Sequence, residues 1–129
     1  MRLVTTEVPT GAWVLYVISD MHCGNRTFHE EGLKEVIEEV ASNKKARVVL
    51  GGDLIDGITE DDPRFNVESL DPVLNRPTKQ MKHMAKLFEP IKEKIAGVNI
   101  GNHELKLYRF GDLIIDHFCE HWDRDWETI

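Results

Sequence analysis

No uninterrupted apolar run in these 129 residues approaches the ~20 needed to cross a bilayer. The opening Met1-Arg2-Leu3-Val4-Thr5-Thr6-Glu7 also lacks the long apolar segment of a secretion leader. Cysteine is scarce, with only Cys23 and Cys119. Two are too few for a disulfide framework, so a reducing, cytoplasmic setting is the expectation, with no membrane partner. A surplus of positive charge is missing as well. The formal charge of −7 argues against a broad electrostatic footprint on nucleic acid, which is left only as a substrate. It does not exclude a metal-mediated phosphate site, because bound cations would reverse the local sign. No Gly-x-Gly-x-x-Gly or P-loop pattern follows any candidate strand, which disfavours a metal-free nucleotide-binding protein. Internal repeats and low-complexity segments are absent too.

What is present suits one α/β domain over residues 1–129, with 41% hydrophobic residues to build a core. The central stretch is Val48-Val49-Leu50-Gly51-Gly52-Asp53-Leu54-Ile55-Asp56. A short β-branched run stops at two glycines and then presents a carboxylate, which reads as a buried parallel strand. In open α/β sheets ligands sit beyond the carboxyl ends of strands, so Asp53 is delivered to a place suited to chemistry. The plain alternative is an Asp that caps a following helix.

Along the chain, residues 12–19 form the first expected strand, ending in Asp20-Met21-His22-Cys23-Gly24-Asn25. Alternation at a strand end turns Asp20 and His22 to the same side. A carboxylate and an imidazole facing one spot suit a transition metal, or a hydrogen bond that holds a loop. Residues 31–42 predict a helix, with Leu33, Val36, Ile37, Val40 and Ala41 in a core-facing stripe. The strand 46–50 follows, completing a β-α-β unit with an expected right-handed crossover. Between Gly57 and Pro77 the pattern breaks into acids and prolines, giving a long, mobile rim loop over 58–77 from which no ligand is assigned. A second helix is expected over 78–95, with Met81, Met84, Ala85, Phe88, Ile91 and Ile95 inward and Pro90 kinking or dividing it. A third strand over 97–100 ends in Gly101-Asn102-His103-Glu104, and a last helix covers 111–122.

Asp-x-His, Gly-Asp-x-x-Asp and Gly-Asn-His-Glu thus end three successive strands. This ordered set resembles the calcineurin-like metallophosphoesterases, over residues from about 14 to 104. The resemblance implies half of an αββα sandwich, with parallel β-α-β-α-β units and hydrolysis of phosphomonoesters or phosphodiesters. It implies divalent ions, Mn²⁺, Fe²⁺ or Zn²⁺, in a dinuclear site. Asp20 and His22 would bind the first ion, Asp53 would bridge both, and Asn102 would offer its amide oxygen to the second. His103 would touch the phosphate and protonate the leaving oxygen. Asp56 and Glu104 would orient the ligands from behind.

The family also supplies later histidines, including a Gly-His-x-His, and nothing after Glu104 matches them. His117 and His121 share one helix side at i, i+4 spacing and could serve as extra ligands, or could simply edge a packed helix. The expectation is therefore a truncated domain ending in a polar tail where a second sheet would begin. Its first ion would be held by Asp20, His22 and Asp53, its second only weakly. Two readings follow. One is a phosphoesterase of reduced or partner-dependent activity, completed by self-association or another chain; the other is an inactive metal-binding or interaction module that keeps the fold.

Overall fold

The computed structural model describes residues 6–107 together with the backbone of Trp126 and Glu127. The helix expected over 111–122, with Cys119 and the candidate ligands His117 and His121, lies outside the described residues.

Four parallel strands form the sheet in the order β1-β2-β3-β4: β1 Val14–Ile18, β2 Ala46–Leu50, β3 Ile95–Asn99 and β4 Trp126–Glu127. Their polar ends therefore emerge at one edge, as α/β topology requires. Helix α1, Glu30–Ser42, connects β1 to β2. Helix α2, Pro77–Phe88, and a 3₁₀ turn over Glu89–Lys94 lead into β3. One sheet face, carrying Val48, Leu50, Ile95 and Val98, is buried in a common core with Leu33, Ile37 and Val40 of α1 and Met81, Met84 and Phe88 of α2. Burying each such side chain is worth about 1.5–3 kcal/mol.

The second helix does not run through to residue 95. Pro90 has no N–H to continue the α ladder, so the chain tightens into the 3₁₀ turn and Ile95 begins β3. All six side chains expected inward from this stretch are nonetheless buried. The residues after Trp122 are not only a polar tail. Trp126 and Glu127 pair in parallel with Val98 and Asn99 of the same sheet. Two residues are too few for alternation to be visible. Along β1, an edge strand among the described residues, Trp13, Leu15 and Val17 expose apolar side chains, Val17 to 67%. No described helix is long and apolar enough to cross a membrane.

Candidate metal centre

Beyond β1 and β2 the chain does not turn away at once. The two post-strand segments continue side by side through backbone bonds: Asp20 N–H to Gly52 O at 3.1 Å, His22 N–H to Asp53 O at 3.0 Å and Cys23 N–H to Leu54 O at 3.1 Å. Asp56 N–H returns to Cys23 O at 2.8 Å. This zipper is bought with backbone strain. Asp20, His22 and Asp53 have φ of 56°, 49° and 48°, and they are the only non-glycine residues with positive φ among the described residues. Each such residue costs on the order of 1–3 kcal/mol. The strain has a geometric product: Asp20, His22 and Asp53 bring one ligand atom each to within 4.8 Å of one another.

The β3 end is pressed against this zipper. Gly52, at φ 94°, leaves no room for a Cβ, which would stand 2.5 Å from the Gly101 nitrogen. A Cβ on Gly101 would in turn collide with Asp53. Past Gly101 the chain forms a short helix α3, Asn102–Leu107, where the sequence shows no readable periodicity because six residues are under two turns. Glu104, from its first turn, is 3% exposed and binds the opposite loop. Its carboxylate accepts N–H bonds from Asp53 (3.0 Å), Leu54 (2.7 Å), Ile55 (3.1 Å) and Gly101 (2.9 Å). His103 N–H donates to Asp53 Oδ1 at 2.9 Å. Asn102, the first residue of α3, is exposed beside it.

The His103 ring stands edge-on to that of His22, centroids 4.5 Å apart, and Asp56 Oδ1 lies 3.7 Å from His22 Nδ1. His22, Asp56 and His103 form a second group whose ligand atoms lie within 4.8 Å of one another. The hydrogen bonds of His103 define its protonation. Nδ1 meets the Asp56 carbonyl oxygen, which can only accept, so Nδ1 carries the proton. Nε2 lies 3.0 Å from Arg64 Nη1, which can only donate, so Nε2 presents its lone pair. The ring is neutral in this arrangement, and a guanidinium occupies the cation position against Nε2.

Arg64 comes from the loop that sequence reasoning left without site residues. Its Nε and Nη2 donate to the Asp62 carboxylate at 3.0 and 2.9 Å, and Lys106 of α3 approaches Asp62 Oδ2 at 3.4 Å. The bond from Arg64 holds the buried Asp62 carboxyl well below the usual carboxylate range. The available signal was charge: Arg64 is the lone basic residue among five acids between Gly57 and Asn75. The loop also carries turns and is tied to the Cys23–Arg26 segment by Arg26 N–H to Ser69 O (2.8 Å) and Asp71 N–H to Gly24 O (2.8 Å).

Residues 14–129 match the family described as calcineurin-like phosphoesterase. The chain belongs to that family. A search of curated proteins finds no match. As a calcineurin-like phosphoesterase it is a member of a metal-dependent hydrolase family. Two carboxylates and one imidazole at Asp20, His22 and Asp53 are chemically suited to a borderline divalent ion. The group of His22, Asp56 and His103 suits one less well, since both ring nitrogens of His103 are already engaged.

Proposed function

We propose that the chain hydrolyses phosphate esters with a divalent ion, Mn²⁺, Fe²⁺ or Zn²⁺, held by Asp20, His22 and one oxygen of Asp53. The observation that carries this reading is a coincidence of two independent features. Among the described residues, the three non-glycine residues with left-handed backbone are also one of the two groups whose ligand atoms converge. Strain of this kind persists where the surroundings over-determine it, as they do at functional sites. A bound ion would supply polarisation of phosphoryl oxygens and a more acidic water.

The protein groups have distinct tasks in this reading. Asp56, close to His22 Nδ1, orients that imidazole, and Glu104 holds the Asp53 loop in place. Asn102 would offer its amide oxygen to a second ion. That second position is the weaker one, because its donors would be a neutral amide and the Asp53 carboxylate, already accepting the His103 N–H. His103 would face the phosphate, and once released from Arg64 its Nε2 lone pair would take a proton from water and pass it to the leaving oxygen. Residues 1–129 would act as one domain with 58–77 as its rim, in the cytoplasm, on a phosphomonoester or phosphodiester.

Calorimetry with Mn²⁺ on metal-stripped protein tests the centre. One appreciable binding event and a much weaker second are expected, with the first lost in Asp53→Ala. Hydrolysis of an aryl phosphate ester with added Mn²⁺ should likewise be lost in Asp53→Ala and on chelation. Binding unchanged in the variant would overturn the assignment. Metal binding without turnover on any ester would favour the module that keeps the fold and lacks the reaction.

A further inference from the structure

We propose that Arg64 binds the substrate's phosphate and biases the site toward terminal, dianionic phosphoryl groups, an inference that rests on the phosphoesterase reading above. The placement of Arg64 is built rather than incidental. Two of its N–H groups are committed to the Asp62 carboxylate, which also accepts the Arg64 backbone N–H at 2.9 Å. That clamp aims the remaining edge of the guanidinium at His103 Nε2, 3.0 Å away. Asp62 itself is buried, and the Arg64 side chain keeps 38% of its surface open to solvent. A buried anchor that aims a donor edge at the ligand cluster, on a side chain still partly open to solvent, suits an arriving oxyanion.

Charge points the same way. Asp20, Asp53 and Asp56 make this end of the sheet acidic, which opposes a dianion wherever a metal does not compensate. Asp62, Arg64 and Lys106 together carry a net +1 beside it, in a chain of net −7. A neutral imidazole nitrogen is a poorer acceptor for a guanidinium than a phosphate oxygen. A bound phosphoryl group would therefore draw Nη1–H from His103 to itself and leave Nε2 free. A terminal phosphoryl group offers three non-bridging oxygens and two charges, against two and one in a diester. It gains more from one extra fixed cation.

The test compares wild type with Arg64→Gln and Arg64→Lys in Mn²⁺, on p-nitrophenyl phosphate and bis(p-nitrophenyl) phosphate. Inorganic phosphate serves as the direct probe by calorimetry on the Mn²⁺-loaded protein. Arg64→Gln should raise KM for the monoester and weaken phosphate binding by about 10–100-fold, the worth of a charge-assisted hydrogen bond. Its effect on the diester should stay within about 3-fold, and Arg64→Lys should recover part of the loss. Mn²⁺ affinity should match wild type, while Arg64→Gln should melt at a lower temperature, because the buried Asp62 carboxylate loses its guanidinium partner, and Arg64→Lys should melt between the two. Equal losses on both esters would reduce Arg64 to a support for His103 and overturn the proposal, as would phosphate binding unchanged in Arg64→Gln. Wild type that binds phosphate but hydrolyses neither ester would fail the phosphoesterase reading while leaving phosphate capture by Arg64 measurable. Wild type that hydrolyses either ester but binds no phosphate would sink the Arg64 proposal and leave the phosphoesterase reading standing.

Discussion

Glu104 is where a single side chain carries the most geometry. Its two oxygens close four backbone N–H bonds from both facing loops inside the protein. Glu104→Gln turns one oxygen into a donor aimed at two buried N–H groups. Each unsatisfied group costs about 1–3 kcal/mol, so a loss of at least about 2 kcal/mol is expected. In a domain of this size that lowers the melting temperature by roughly 8 °C or more. The same variant should weaken Mn²⁺ binding by about 10–100-fold, because the backbone that presents Asp53 is no longer held. A thermal melt and a Mn²⁺ titration superimposable on wild type would show that the four bonds matter little. The sequence marks Glu104 only as a carboxylate three residues past a glycine, and its role behind the proposed ligands came from the family resemblance. Which N–H groups it meets was not legible there, because three of the four belong to a segment about 50 residues away.

Among the elements, α1 shows how pattern and tertiary contact divide the work. Of its expected core stripe, Leu33, Ile37 and Val40 are buried and Val36 packs partly against the core, while Ala41, in the last turn, is exposed. Its start is set differently: His29 Nδ1 accepts the Gly32 N–H at 2.8 Å, a histidine cap with no common sequence signature. Glu30 then bonds Lys34 at 2.8 Å within the helix and His83 of α2 at 2.7 Å. The Lys34 bond, with the His83 contact adding to it, holds the Glu30 carboxyl below its ordinary 4.5. A depressed folded-state value stabilises the fold above pH 4.5 and loses that contribution as pH falls through the folded value. Glu30→Gln should thus cost on the order of 0.5 kcal/mol at pH 7 and close to nothing near pH 2–3. Denaturant melts at both pH values measure the difference. An equal cost at both would assign the effect to packing rather than charge.

For the whole molecule, the uncovered face of β1 is the feature that calls for an answer in solution. Leu15 and Val17 of the edge strand, with Trp13 just before it, project apolar surface, while Tyr16 and Ile18 on its other side pack partly against the core. Self-association through this face is the expected outcome, since exposed contiguous apolar surface of this kind seldom stays solvated. Light scattering over a concentration series should report a species heavier than the 14.9 kDa chain, returned toward monomer by Val17→Glu. A monomer at every concentration that unfolds cooperatively would refute it.

The sequence by itself determined the parallel β-α-β framework and the three strand ends, because periodicity and glycine-bounded apolar runs are local signals. It also pointed to Asp20, His22 and Asp53, since those residue types follow directly on the strands that carry them. Tertiary structure alone decided the rest. Asp and His tolerate the left-handed region better than most side chains, but it is the zipping of the two loops that holds all three residues there. Arg64 and Asp62 reach the site through a loop with no periodic pattern, and β4 joins the sheet on two residues. Such pairings depend on contacts between segments distant in the chain, and no residue spacing along the sequence encodes a distance across it.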